Sequence, residues 1–158
     1  MKEIILRVIP ISKMRYKTLG DYFQTAPGYW IVTAAQLPNP SHSALILIHE
    51  LIELISTQHA RIPEPKILKF DLQFEKNNPG NNLEPGDSPL APYHKQHQFS
   101  ENIEHQLARF LHINWNSYNQ SLNSLWKNQN QKSAKTTPNL QNLKPTKTPA
   151  TKASPKKI

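Results

Sequence analysis

Residues 40–61, PSHSALILIHELIELISTQHAR, combine more apolar bulk with more reactive side chains than any other part of the chain. Nine of the twelve residues from Ala44 to Ile55 are apolar, and strong helix formers dominate, which predicts a helix in the core. Asn39 or Ser41 can cap this helix, and Pro40 suits its first turn. On a helical wheel, one arc carries the polar side chains His42, His49, Glu50, Glu53, Ser56 and Thr57.

This polar arc predicts a site, because buried carboxylates are costly unless they are paired, hydrogen-bonded or bound to a metal. His49-Glu50-x-x-Glu53 is a variant of the H-E-x-x-H helix, in which the outer residues bind zinc and the inner Glu acts on a water. We therefore expect His49 and Glu53 to be metal ligands and Glu50 to be the catalytic base. The alternative is that the two carboxylates form ordinary ion pairs on a partly exposed face.

Residues 93–111, YHKQHQFSENIEHQLARFL, predict a second helix with two faces. Its expected apolar face consists of Phe99, Ile103, Leu107, Phe110 and Leu111. The adjoining stripe carries histidines and acids, namely His94, His97, Glu101, Glu104 and His105.

The second stripe supplies the missing third ligand of a catalytic zinc site, with His97 preferred and Glu104 second. Glu104 is also suited to orient a ligating histidine from outside the site. A two-metal site for manganese or iron, with Glu50 and Glu104 as ligands, stays open. One shared ion requires the His49 ring, the Glu53 carboxylate and the third group to lie within about 3–5 Å of one another.

The rest of the chain predicts a single α+β domain over residues 1–128. Strands are expected at residues 4–11, at a sheet edge because of Pro10, and at 29–34 after the Pro27-Gly28 turn. A helix at 66–75, a long loop at 77–92 and a short helix from Asn114 follow. Two or three strands would pack on the central helix together with two or three further helices.

The basic charge is concentrated at the end of the sequence. Residues 129–158 hold seven Lys and no acid, whereas the preceding 128 residues hold twelve Lys or Arg against eleven Asp or Glu. This Lys-, Pro- and Thr-rich segment predicts a disordered tail that solubilises the protein or weakly contacts nucleic acid or an acidic partner. Without cysteine, any metal must be held by His, Asp or Glu, and the lack of a leader pattern favours the cytoplasm.

Between residues 46 and 118 the chain resembles a group of small bacterial and phage proteins that has no established activity. The motifs that carry this resemblance are HELIE, KFDLQFE, EPGDSPLAPYHKQH, IEHQLARFL and the Trp115-x-x-Tyr118 pair. HELIE is also similar to the gluzincin zinc peptidases, and that resemblance implies a Glu on a later helix, here Glu104, as the third ligand.

Three functions follow from these patterns. The first is a zincin-like, metal-dependent hydrolase. The second is a non-catalytic phage or host accessory protein whose polar stripes are structural and whose tail binds nucleic acid or an acidic partner. The third is a phosphoester or nucleotide hydrolase, because carboxylates with magnesium or manganese suit phosphate substrates.

Overall fold

A computed structural model describes residues 1–79 and 83–135, with side chains up to residue 125. The strands are β1 (Glu3–Ile9), β2 (Gly20–Ala26) and β3 (Tyr29–Ala35). The helices are α1 (Pro40–His59), α2 (Glu64–Asn77), α3 (His94–Phe110) and α4 (Trp115–Lys135), with 3-10 turns at Ile11–Lys13 and Pro85–Asp87. This confirms the predicted α+β class.

The sheet has the order β1-β3-β2, with β3 in the middle. β1 runs parallel to β3, and β2 forms an antiparallel hairpin with β3 through Pro27 and Gly28. Gly28 has a φ of 86°, which a glycine adopts without strain. β1 lies at an edge, as Pro10 predicts.

β2 is a strand that the sequence did not predict, because residues 18–21, TLGD, are typical of a turn. The strand begins inside that segment at Gly20 and pairs along β3 from Ala34 to Tyr29. Glycine and polar residues near its ends give this segment a weak preference for β-structure, so the sequence pattern does not identify the strand. Pairing with the apolar β3 stabilises it.

α1 occupies the centre of the molecule, between the sheet and α3. The Asn39 side chain accepts a hydrogen bond from the Ser41 amide at 3.0 Å, which confirms the expected cap. Leu45 and Leu54 are fully buried on the sheet side, and the helix ends at His59, two residues before the predicted end.

α2 confirms the helix predicted at residues 66–75 and holds the segment between β1 and β2 in place. Arg15 pairs with Asp21 at 2.6 Å and with Glu64 of α2 at 3.1 Å. Lys17 pairs with Glu75 of α2 at 3.1 Å. These contacts fix the start of β2 next to α1.

α3 buries a different face from the one that the sequence predicts. Phe99, Phe110 and Leu111, expected in the core, are 52%, 79% and 48% exposed. The buried face instead carries His97, Ser100, Glu104 and Ala108. The reason is that the polar stripe of α1 needs buried partners, and the small Ser100 and Ala108 side chains let α3 approach closely enough to supply them.

α4 runs to Lys135, so it is longer than the short helix expected from Asn114 and continues past position 128. Residues 136–158, which make up most of the predicted tail, lie outside the described residues. Among the helices of the described segments, none has the length and apolar character to cross a bilayer.

Candidate metal centre

Two helices bring three potential ligands to one point beneath the surface. α1 supplies His49 and Glu53, one turn apart, and α3 supplies His97, and all three side chains are buried. His49 Nε2 lies 3.2 Å from His97 Nδ1 and 3.6 Å from Glu53 Oε2. His97 Nδ1 lies 3.0 Å from Glu53 Oε2.

These separations fit a shared ion. Three ligand atoms held at about 2.0–2.1 Å by a tetrahedral ion lie about 3.3 Å apart. The three measured edges, 3.0, 3.2 and 3.6 Å, bracket that value. The group meets the 3–5 Å distance expected from the sequence, with His97 as its third member.

Glu104, the other candidate for the third ligand, contacts His49 from the opposite side. Its Oε2 lies 2.9 Å from His49 Nδ1, the ring nitrogen that faces away from Glu53 and His97. Its Oε1 accepts a hydrogen bond from the buried Tyr118 hydroxyl. Glu104 therefore lies where it orients His49 and keeps its Nε2 atom directed at the other candidate ligands.

Glu53 is oriented in the same manner. Its Oε1, the oxygen not shared with the histidines, accepts a hydrogen bond from the Tyr22 hydroxyl at 3.1 Å. Thr57, one turn further along α1, lies 3.4 Å from the same hydroxyl. Both Tyr22 and Thr57 are buried, so the carboxylate is held on both sides.

His97 has its own outer partners, on the loop before α3. Its Nε2 lies 3.4 Å from Asp87 Oδ1 and 3.6 Å from Glu84 Oε2. Gly86 lies against the ring so closely that a methyl group there would overlap its atoms. The loop thus closes over His97, and each of the three ligands has an outer polar partner.

Four residues that contact the candidate ligands or their partners were not predicted from the sequence, namely Tyr22, Tyr118, Glu84 and Asp87. Glu84 and Asp87 flank Pro85-Gly86, and a proline-rich loop that long is often functional. The position of these two acids in that loop was therefore an indication that they belong to a functional site. Tyr22 lies on the strand that the sequence did not predict, and Tyr118 reaches Glu104 only through the packing of α4.

The charges of the group are mutually dependent. Burial alone would lower the pKa of His49, but hydrogen bonds with Glu104 and Glu53 outweigh it and raise that pKa well above its usual value. For His97 burial also lowers the pKa, yet hydrogen bonds to Asp87 and Glu53 raise it to about 10. Burial raises the pKa of Glu53, but the two histidines more than offset it and lower that pKa. The group therefore resembles two imidazolium ions around a carboxylate, and a cation entering it must displace protons.

Glu50 lies beside this group and lines the same cavity, which has a volume of about 290 Å³. Burial, followed by the charge of Glu53, raises the pKa of Glu50 well above its usual value. Its carboxyl group packs on Gly20 of β2, where a Cβ atom would collide with it. Within the described residues no hydrogen bond or ion pair engages it, so it is available for proton transfer.

The cavity gathers nearly all the acidic residues of the chain. Ten of the eleven Asp and Glu residues line it, and Glu3 is the exception. Arg15 and Lys17 are the lysine or arginine side chains among the lining residues of the described chain. Such a distribution of carboxyl groups favours cations over anions in the cavity.

The other members of the second stripe lie away from the group. His94 donates from Nδ1 to the Gly86 carbonyl at 2.8 Å and thereby holds the loop. Glu101 and His105 are exposed, and the His105 ring packs against Trp115. The structure thus brings His97 and Glu104 to the group, while Glu101 lines the cavity without joining the group, and His94 and His105 lie outside both.

No protein-family model, curated protein or solved structure matches this chain. The geometry of the His49, Glu53 and His97 group is therefore the basis for assigning a function.

Proposed function

We propose that this protein is a metal-dependent hydrolase with one divalent cation, zinc in the first instance, held by His49, Glu53 and His97. The observation that carries the proposal is the convergence of the three ligand atoms at 3.0–3.6 Å, with a polar partner behind each ligand. Two histidines and a glutamate with one open position form the ligand set of thermolysin-like zinc sites.

Each residue has a defined role in this proposal. The ion would polarise the bond to be cleaved and lower the pKa of an attacking water. Glu50, which has no hydrogen-bond or ion-pair partner among the described residues, accepts the proton of that water as the general base. Glu104 and Tyr118 hold His49, while Tyr22 holds Glu53.

Elemental analysis of protein purified without a histidine tag tests the site directly. We expect about one divalent ion per chain, and we expect it to be lost from His49→Ala, Glu53→Ala and His97→Ala. His59→Ala, an exposed histidine at the end of the same helix, is the matched control and should keep the ion. Absence of any ion, together with no uptake of zinc, manganese or iron, would contradict the proposal.

Glu50→Gln separates catalysis from metal binding. This variant should keep the ion and lose hydrolysis of whichever peptide or phosphoester substrate the native protein cleaves in a screen. If the native protein binds an ion but hydrolyses neither peptides nor phosphoesters, it is a metal-binding protein and the enzyme assignment is wrong. Iron as the resident metal would favour oxygen chemistry, since the same ligand set occurs in iron(II) oxygenases.

A further inference from the structure

The outer edge of β1 is an unpaired strand with apolar side chains. β3 pairs with its inner edge, and the described residues place no strand on the other side. Ile5, Leu6 and Val8 are 38%, 44% and 46% exposed. Edge strands of this kind pair readily with further strands unless charges or prolines prevent it.

The direction of the backbone groups sets which residues are free to pair. The Gln36 amide donates to the Ile9 carbonyl at 2.8 Å, and the Glu3 amide donates to the Gly28 carbonyl at 3.2 Å. Odd-numbered residues of β1 therefore direct their backbone groups at β3. Because these directions alternate along a strand, Ile4, Leu6 and Val8 offer their amides and carbonyls at the outer edge.

The charges of β1 are self-complementary. Glu3 and Arg7 are both exposed, and no described residue forms an ion pair with either. If two copies of β1 run antiparallel with Ile5 on the two-fold axis, Glu3 of each copy faces Arg7 of the other. Ile4 then faces Leu6 and Ile5 faces its own copy, so three central apolar residues pair with apolar residues, while Val8 faces Lys2.

The same register satisfies the backbone. Ile4 and Leu6 become hydrogen-bonded pairs, as their outward backbone groups require. Glu3 and Arg7 fall on the non-hydrogen-bonded positions, where cross-strand side chains are closest. A shift by one residue would lose both the backbone match and the ion pairs.

We infer that this protein forms a homodimer by antiparallel pairing of β1 with β1 of a second copy, which gives a continuous six-stranded sheet. The candidate metal ligands lie on α1 and α3, and the strand that contacts them through Tyr22 is β2, at the opposite edge of each three-stranded sheet from β1. This inference does not rest on the proposed function, because no ligand of the metal centre belongs to β1.

Charge reversal of the full-length chain tests the interface, with sedimentation velocity and native mass spectrometry as readouts. Glu3→Arg and Arg7→Glu should each weaken the dimer by about ten- to a hundredfold, since both symmetric pairs become repulsive. The double variant should restore it. An equimolar mixture of the two single variants should form the heterodimer, because every facing pair is then opposite in charge. A native protein that stays monomeric at about 100 micromolar, where a Kd well below that concentration would give mostly dimer, or a double variant no better than the single ones, would overturn the inference.

Cysteine cross-linking tests the register in a chain that contains no cysteine. Ile5→Cys places the two thiols opposite each other on the axis and should give a disulfide-linked dimer under mild oxidation. Val8→Cys is the matched control, because its two copies would lie about 20 Å apart at about 3.4 Å per residue. Equal cross-linking of both variants would contradict this register.

Discussion

The two ring nitrogens of His49 face different partners, and this difference determines the role of Glu104. Nε2 faces Glu53 and His97, whereas Nδ1 lies against the Glu104 carboxylate at 2.9 Å. A carboxylate in that position fixes the tautomer of the imidazole and raises its basicity as a ligand. The gluzincin analogy would instead make Glu104 a ligand.

Glu104→Gln distinguishes a positioning residue from a ligand. The Gln amide oxygen still accepts from His49 Nδ1 but without charge, so metal affinity should fall about 10- to 100-fold and not disappear. Competition with a chromogenic chelator measures this affinity. Tyr118→Phe removes the hydroxyl group that donates a hydrogen bond to Glu104. It should therefore also lower metal affinity, but by less than Glu104→Gln does. A loss of metal from Glu104→Gln as complete as that from His97→Ala would make Glu104 a ligand.

Asp71 provides a pH-dependent contribution to stability. Burial is the main cause of the rise in the pKa of Asp71 from 3.8 to about 7, despite hydrogen bonds from Tyr93 and Tyr16. The folded protein therefore binds this proton more tightly than the unfolded chain. The contribution is fully present below about pH 4 and is lost as the pH rises to about 7, at about 1.4 kcal/mol per unit of pKa difference.

Asp71→Asn should remove this dependence, because the amide keeps the acceptor for Tyr93 and carries no charge. In urea unfolding with chelator present, the variant should gain up to about 4 kcal/mol relative to the native protein between pH 4 and pH 8. Glu101→Gln, an exposed acid on α3, serves as control. If both variants follow the native pH profile, the raised pKa of Asp71 is wrong.

At the scale of elements, the 3-10 turn at Pro85–Asp87 brings the loop into contact with the candidate metal centre. Gly86 packs on the face of the His97 ring, while Asp87 and Glu84 approach its Nε2. The turn therefore supports the ring from the side opposite to α1. Any side chain at position 86 must displace either the turn or the ring.

Gly86→Ala should lower the free energy of unfolding by about 1–3 kcal/mol, the usual cost of overpacking, and should also weaken metal binding. Chemical unfolding with and without metal separates these two effects. Ser88→Ala, which lies next to the same turn and adds no atom, should leave metal affinity near the native value. Native stability and affinity in Gly86→Ala would show that the loop does not support His97.

The elements also show what sequence patterns can and cannot predict. α1, its Asn39 cap and its polar arc follow from local preference and periodicity, which are properties of one segment. The orientation of α3 does not, because Phe99 and Phe110 are more apolar than the His97 and Glu104 face that is buried. Burial of that face is favourable only with α1 opposite, and a single segment does not contain this information.

On the scale of the whole molecule, acidic residues that are dispersed along the sequence cluster around one cavity in the fold. Before residue 129, basic and acidic residues nearly balance along the chain. In the fold, ten of the eleven acids surround one cavity, although they come from β2, three helices and a loop. The predicted pairing of two stripes anticipated part of this arrangement, but Asp21, Asp71 and Glu75 join it only through tertiary packing.

The distance along the chain between the halves of the metal centre has a consequence for the order of folding during synthesis. The partners of Glu53 and His49 on α3 follow 44 and 55 residues later. A nascent chain therefore carries its most apolar helix with unpaired carboxylates for about 2–10 s at about 5–20 residues per second. A fragment of residues 1–79 should show no cooperative thermal transition by circular dichroism, whereas a cooperative transition would show that the N-terminal half folds without α3. Newly made chains thus depend on protection from aggregation until α3 is available.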